Sequence, residues 1–327
     1  MRVVVALGGN ALSPAGGTGS AAEMRAALAV AAGPLADLVE DGTELVLTHG
    51  NGPQVGRILL QQEAAAPAVP PMPMDVCGAE SQGQIGYLLA QALGNELRAR
   101  GLRRQVLPLV TQVVVDAGDP AFRRPTKPVG PVWDAATARR VAAASGYAVG
   151  EVAPGRWRRL VASPRPTGFV ESGPLRLLAG SGHVLVAAGG GGVPVVRDGD
   201  DPAAPYRGVE AVVDKDRTAA ALACAVDADV LAILTEVPRV VLGWGGPDAV
   251  PLDRLSVDRA RELLALGEFP AGSMGPKVEA CCDFVASGRG RAVIGALDAA
   301  AAVLRGAAGT EFVPELSLDA AGGVKKT

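Results

Sequence analysis

Residues 44–56 read Glu-Leu-Val-Leu-Thr-His-Gly-Asn-Gly-Pro-Gln-Val-Gly. Leu45, Val46 and Leu47 form a short apolar run, the pattern of a buried strand. Glycines at 50, 52 and 56 and a proline at 53 follow, and a helix is expected from about 54 to 65. A strand that enters a glycine-rich turn and then a helix is either an ordinary connection or an anion site. Glycine lets the backbone approach a ligand, and a helix N-terminus presents unpaired N–H groups. Taken alone, the stretch leaves both readings open. A second turn of the same make, Gly8-Gly9-Asn10, follows an apolar strand at 3–7, and four glycines at 189–192 follow another at 184–188. In an open α/β sheet, ligands sit beyond the carboxyl ends of the strands. Three glycine turns at strand ends therefore converge on one crevice and point to a phosphorylated ligand.

The surrounding chain alternates strand and helix. Helices are expected at 21–40, 80–100, 172–180, 217–226, 256–266, 275–287 and 297–305, and strands at 106–110, 113–115, 193–196, 230–234 and 291–295, with a hairpin around 237–250. Such alternation predicts an α/β fold with a mainly parallel sheet and helices on both faces. Residues 116–170 break the pattern. They are rich in Pro, Gly and Arg, carry one short helix near 134–145, and read as an inserted subdomain or lid. Residues 13–20 read as a mobile loop, 66–74 as a proline-rich connection and 319–327 as a frayed tail.

Composition narrows the function. A chain of 327 residues is long enough for two lobes. Aromatic residues make up only 3%, too few for a platform that stacks single-stranded nucleic acid. The net charge of −3, with both signs mixed along the chain, argues against a nucleic-acid surface and against a polybasic membrane patch. No apolar run is long enough to cross a bilayer, and no secretory pattern precedes the first strand. Cys77, Cys224, Cys281 and Cys282 form no CxxC pair, so neither a zinc site nor a disulfide framework is expected, and a reduced cytoplasmic setting is.

The glycine turns fit neither of the commonest phosphate loops. The two glycines, four-residue spacer and Lys-Ser/Thr of a P-loop do not occur. Residues 50–56 place their third glycine one position late for a dinucleotide fingerprint, and no acidic residue stands about 20 positions further on. A dehydrogenase is thus only a remote alternative. Arginine greatly outnumbers lysine, which draws attention to Lys127 between prolines, Lys215 between Asp214 and Asp216, and Lys277 at a helix start. Each could be a plain surface lysine. Phosphoryl transfer, however, needs little from a protein except fixed positive charges, backbone N–H groups and Mg²⁺ around the moving group. Asp216 would then orient a lysine, or hold the metal through water, or serve as the helix N-cap. His49 either touches substrate or is a satisfied strand-end residue; with His183 as the only other histidine, no protein-bound metal site is expected.

Residues 5–12, 48–56, 79–87, 111–116, 125–131, 189–195, 208–216 and 272–280 together resemble the signatures of the carbamate kinases, collinearly and nearly end to end. The resemblance implies the amino-acid-kinase fold, a three-layer αβα sandwich with a small protruding subdomain at about 117–170. It implies an N-terminal lobe (1–209) for carbamate and carbamoyl phosphate, and a C-terminal lobe (210–327) for the nucleotide. The implied reaction is reversible: ATP and carbamate give ADP and carbamoyl phosphate, with Mg²⁺ carried by the nucleotide. It commonly runs toward ATP in arginine or related catabolism, in a cytoplasmic homodimer. By this resemblance Gly8, Gly9 and Asn10 bind the transferred phosphoryl group, and Gly50, Asn51 and Gly52 hold the carbamate end. Lys127 reaches in from the subdomain, Lys215 and Lys277 neutralise phosphate charge, and Asp216 orients them. The nucleotide side comprises Gly189, Gly190, Asp214, Lys215, Met274, Pro276 and Lys277. Glu236 and Pro238 depart from the small or acidic residues usual there, which bears on base recognition. The alternatives are a sibling kinase acting on another small carboxylate and a catalytically silent sensor on the same scaffold.

Overall fold

Val3, Val5 and Leu7 turn to one side of a sheet, Val4 and Ala6 to the other, and all five are fully buried. A strand buried on both faces belongs in the middle of a sheet covered twice. The structure is a computed structural model, which describes residues 1–9, 12, 17, 19–199, 201, 203–270 and 272–314. Asn10 and the 319–327 tail lie outside the described residues, as does most of the loop at 13–20.

The first half of the chain forms β1 (Arg2–Leu7), α1 (Ala21–Glu40), β2 (Glu44–His49), α2 (Gly52–Ala65), α3 (Met74–Ala99), β3 (Val106–Pro108) and β4 (Gln112–Val115). Next come β5 (Lys127–Trp133), α4 (Ala135–Ser145), β6 (Val149–Ala153), β7 (Arg156–Val161), β8 (Pro166–Phe169), α5 (Ser172–Ala179), β9 (Val184–Val186), β10 (Val193–Arg197) and β11 (Tyr206–Gly208). The remainder forms α6 (Lys215–Ala225), β12 (Val230–Thr235), β13 (Val240–Leu242), β14 (Val250–Leu252), β15 (Arg254–Ser256), α7 (Val257–Ala265), α8 (Met274–Ala286), β16 (Arg291–Ala296), α9 (Ala300–Leu304) and β17 (Thr310–Val313).

The main sheet has the order β15-β17-β16-β12-β1-β2-β9-β3. Its described pairings are parallel except β16 with β17. Val4, Ala6, Val46, Leu231 and Ile233 pack under α5, α6, α7 and α8. Val3, Val5, Leu45, Leu47 and Ala232 pack under α1, α3 and α9 on the opposite face. The result is the three-layer αβα sandwich with a mainly parallel open sheet. Because β1 pairs with β12 from Val3 to Leu7, strands from the first and last thirds of the chain share one ladder.

A second, four-stranded sheet of order β11-β10-β4-β8 leaves the main one after β3. The stretch between β4 and β8 builds its own antiparallel sheet, β5-β7-β6, flanked by α4, and this is the protruding subdomain. α4 starts on an Asp134 cap and ends at Gly146 in the left-handed region. Val129 and Val161 of the subdomain pack with Val55, Ile58 and Leu59 of α2 in a separate small core.

Several expectations shift. The helix expected from residue 80 begins at Met74, so the proline connection is shorter. The strands expected at 106–110 and 113–115 belong to two different sheets. The short strands β11, β15 and β17 and the three strands of the subdomain were not expected at all. The hairpin expected around 237–250 is β13–β14.

Candidate active site

The ladder of β1 and β12 runs in register from Val3 opposite Val230 to Leu7 opposite Leu234. Gly8 extends it by one bond, its N–H donating to Leu234 O at 3.0 Å. On the other side Gly50 N–H donates to Leu7 O at 3.2 Å. The turns after β1 and β2 therefore lie side by side at the carboxyl end of the sheet. A Cβ placed on Gly50 would sit 3.4 Å from Cδ of Lys215 and 3.6 Å from Cα of Gly9. Glycine is what lets both turns and the lysine stem meet at one point.

Lys215 opens α6, and the cap of that helix settles the roles of its two flanking aspartates. Asp214 is the N-cap, accepting from Asp216 N–H at 2.9 Å and from Arg217 N–H at 3.4 Å. The capping role considered for Asp216 thus belongs to Asp214, and the Asp216 carboxylate is left to the lysines. Lys215 Nζ donates to Asp216 Oδ1 at 2.6 Å, and Lys277 Nζ, from the first turn of α8, donates to Oδ2 at 3.0 Å. Lys127, first residue of β5 in the subdomain, donates to Asp214 Oδ2 at 2.6 Å. Three lysines from three elements thus meet on two adjacent aspartates.

The Asp216 side chain is only 4% exposed, and those of Lys215 and Lys277 are 14% exposed each. Burial holds the Lys215 ammonium below the usual lysine range; the charge of Asp216 opposes that shift and the nearby Lys277 adds to it. Burial alone would raise the Asp214 carboxyl, but the Lys127 ammonium and the N–H of Asp216 pull it below the usual carboxylate range. At the two aspartates three ammonium groups meet two carboxylates, and that local excess of positive charge suits a polyanionic ligand.

Gly8, Gly9, Lys215 and Lys277 form the polar end of a cleft of about 610 Å³. Its other end is apolar, with Val237, Val241, Trp244, Phe269, Met274 and Leu297. Trp244 lies at the start of the β13–β14 loop and is 65% exposed. Glu236, at the carboxyl end of β12, lines the same cleft. The cleft thus combines lysines and glycine N–H groups, which suit anions, with apolar and aromatic side chains, which suit a flat ring.

Of the residues expected on the nucleotide side, Lys215, Met274 and Lys277 line this cleft. Gly189 and Gly190 are not among its lining residues. A Cβ on Gly189 would overlap the His49 ring, and one on Gly190 would come within 2.1 Å of Asn51 Nδ2. They back the turn after β2, against His49 and Asn51. Asp214 faces Lys127, and Pro276 is not among the cleft residues. Asn51 stands at the N-cap position of α2 but does not cap it; its amide donates to Ser81 Oγ at 2.8 Å. Gly52 is the first residue of α2.

Residues within the 48–56, 79–87 and 111–116 stretches, given no individual role in the sequence, form the support of that turn. Ser81 and Gln82 are buried polar residues on α3. Gln82 exchanges two hydrogen bonds with the backbone of Thr111, at 3.2 and 2.9 Å. Thr111 Oγ1 accepts from Ala188 N–H at 3.0 Å, and Thr48 Oγ1 donates to Ala188 O at 3.0 Å. Ala188 itself is held at φ 53°, a left-handed conformation unusual for a non-glycine residue. The available signal was a pair of polar side chains on the otherwise apolar face of an amphipathic helix.

His49 is a satisfied strand-end residue. It is 1% exposed, with Nδ1 2.9 Å from Gly50 O. Burial lowers its pKa to about 4, with Lys215 adding to the effect against the Gly50 hydrogen bond. A base whose pKa falls on folding contributes stability above its unfolded value and loses it as the pH drops toward the folded one. The window here is from about pH 6.5 down to about pH 4. Between about pH 7 and about pH 4.5, His49→Asn is expected to lose about 2 kcal/mol less stability than the unmodified protein, measured by urea unfolding. Equal losses in the two proteins would contradict a buried neutral imidazole.

Comparison with known proteins agrees with this architecture. Residues 1–296 match the model of the amino acid kinase family. The chain is 46% identical over 315 residues to a carbamate kinase of Pyrococcus horikoshii, covering 96% of this chain and 99% of that protein. It is 44% identical over 315 residues to a carbamate kinase of Trichomonas vaginalis, covering 96% and 100%. Among solved structures, carbamate kinase from Giardia lamblia bound to AMP-PNP superposes with a TM-score of 0.87 at 38% identity, covering 95% of this chain and 98% of that one. With its glycine turns and paired lysines set at the end of a mainly parallel sheet, the chain belongs to the amino acid kinase family.

Proposed function

We propose that this protein is a carbamate kinase, which transfers a phosphoryl group reversibly between ATP and carbamate. The observation that carries the reading is the meeting of Lys215 and Lys277 on Asp216 at the mouth of the cleft, beside the turns at Gly8-Gly9 and Gly50-Asn51. On this reading the nucleotide lies in the cleft, its base against Trp244 and its phosphates toward Gly8, Gly9, Lys215 and Lys277. Carbamate lies at the Gly50–Gly52 turn, so residues 1–209 supply the acyl side and residues 210–327 the nucleotide side. Lys127 closes over the acyl substrate from the subdomain.

Chemically the step is an in-line displacement. A carbamate oxygen forms a bond to the γ-phosphorus as the bond to the β,γ-bridging oxygen breaks, giving carbamoyl phosphate and ADP. Carbamate is already an anion, so no general base is required, in keeping with a site built from cations. The lysines and the N–H groups of the glycine turns stabilise charge on the equatorial oxygens. No group of three His, Cys, Asp or Glu side chains able to hold a metal occurs among the described residues, and both Asp216 oxygens are engaged by lysines. That donor set fits Mg²⁺ entering on the phosphates, and Asp216 would be the residue to hold it through water. When bound, Mg²⁺ would neutralise charge on the β- and γ-phosphates. No described helix is long and apolar enough to cross a membrane. The enzyme works as a cytoplasmic homodimer on small molecules, making ATP from carbamoyl phosphate in arginine or related catabolism.

The test is ATP formation from ADP and freshly prepared carbamoyl phosphate, with and without Mg²⁺, with acetyl phosphate as a comparison donor. Rapid Mg²⁺-dependent synthesis that prefers carbamoyl phosphate is expected. A folded protein that binds ADP but forms no ATP would redirect the assignment to a sibling kinase, with Glu236 the first position to change.

A further inference from the structure

The two lysines that face the cleft sit on different helices, so their spacing depends on how α6 is joined to α8. Arg217 directly follows Asp216, and Glu279 stands two residues beyond Lys277. Arg217 Nε and Nη2 both donate to Glu279 Oε2, at 3.0 and 2.9 Å. Glu279 Oε1 accepts from Arg165 Nη2. Arg165 Nη1 also donates to Asp283 Oδ2, one turn further along α8, at 3.3 Å.

Arg165 occupies a particular place in the chain. It stands directly before β8, where the chain returns from the subdomain to the second sheet. Its backbone N–H donates to Asp119 Oδ2 at 3.0 Å. Asp119 caps the short 3₁₀ turn Pro120–Phe122 through which the chain enters the subdomain. The two ends of the subdomain are thus tied to each other, and Arg165 ties them to α8. Shortly after that turn Lys127, opposite Val161 at the base of the subdomain, holds the Asp214 cap of α6.

Neither Glu279 nor Arg217 lines the cleft. Their side chains are 24% and 27% exposed, so the pair is screened less than a fully solvated one. An ion pair of this kind adds little to global stability. Its bond geometry, however, fixes the first turn of α6 against the second turn of α8, directly after Lys277. We propose that Glu279 is a positioning residue: it holds Lys215 and Lys277 on a common Asp216 and links their placement to the hinge of the Lys127 subdomain. This inference rests on the kinase reading above.

Misplacing a phosphate-binding group by about 1 Å can cost up to ~10²-fold in rate. Glu279→Ala is expected to lower kcat for ATP synthesis about 20-fold while KM for ADP and for carbamoyl phosphate each stay within about threefold. Arg217→Gln should reproduce part of the loss, and the double variant should lose no more than the worse single one, since both remove one linkage. A kcat within about twofold of the unmodified enzyme, a loss confined to KM, or losses that multiply would each overturn the proposal. If the unmodified protein makes no ATP, the kinase reading fails, and the linkage is then read by amide hydrogen exchange. Glu279→Ala should speed exchange both at 274–278 and at 120–126; acceleration at α8 alone, or at neither, overturns it.

Discussion

Lys277→Ala is expected to fold normally and to lose about 10²- to 10³-fold in kcat, with Lys215→Ala losing at least as much. The argument is one of charge at the moving phosphoryl group. In the transition state negative charge spreads over the equatorial oxygens, and only groups fixed beforehand stabilise it without reorganising. Lys215 is wedged where the turns at Gly9 and Gly50 meet, so on the proposed reading its ammonium stands between carbamate and nucleotide. Lys277 approaches the same point from α8 and shares the same carboxylate. Removing either lysine leaves Asp216 with the other, so stability should change little. That separates a catalytic loss from an unfolded protein. Steady-state ATP synthesis, with thermal unfolding as the control, measures both. Two folded variants with turnover within about threefold of the unmodified enzyme would remove the lysines from the mechanism.

How much of this could be read from residues alone varies with the range of the interaction. β1, β2 and β12 were legible because a strand buried on both faces is a run of apolar residues. The start of α3 was not, because Pro70, Pro71 and Pro73 stand directly before it; the acidic Asp75 in its first turn was the weaker sign that the helix had begun. β5 was missed because it contains Pro128 and Pro131, which suit an edge strand and no other, and β5 is at the edge of its sheet. The three lysines stood out by rarity, and the Asp216 contact with Lys215 is local in sequence. The pairing of Lys127 with Asp214 spans 87 positions and needs the subdomain to fold back, which no spacing encodes. The same holds for Gly189 and Gly190: a glycine run after a strand announces a close backbone approach, but not which neighbour approaches.

Asp216→Ala is expected to act on stability first and on rate through it. The substitution leaves the Lys215 and Lys277 ammonium groups facing one another, each mostly buried, with no anion between them. Breaking a buried pair by removing one partner costs about 3 kcal/mol, somewhat less here because one side of the triad opens on the cleft. Two features distinguish this from an ordinary packing defect. Nucleotide phosphates would take the place of the missing carboxylate, so saturating ADP should restore more stability to the variant than to the unmodified protein. Lys215 is already held below the usual lysine range by burial, and loss of Asp216 removes the charge that opposed the shift. A lysine whose pKa falls on folding binds its proton more tightly in the unfolded chain, so stability linked to it rises as the pH increases through the folded value. The variant should therefore recover part of its deficit as the pH is raised from neutral toward the ordinary lysine pKa of about 10.4, and ADP should shrink that recovery by favouring the charged form. Thermal unfolding across that pH range, with and without ADP, reads every arm. A deficit unchanged by both ADP and pH would mean that Asp216 serves only to pack the start of α6, and that the lysines need no anion to hold them apart.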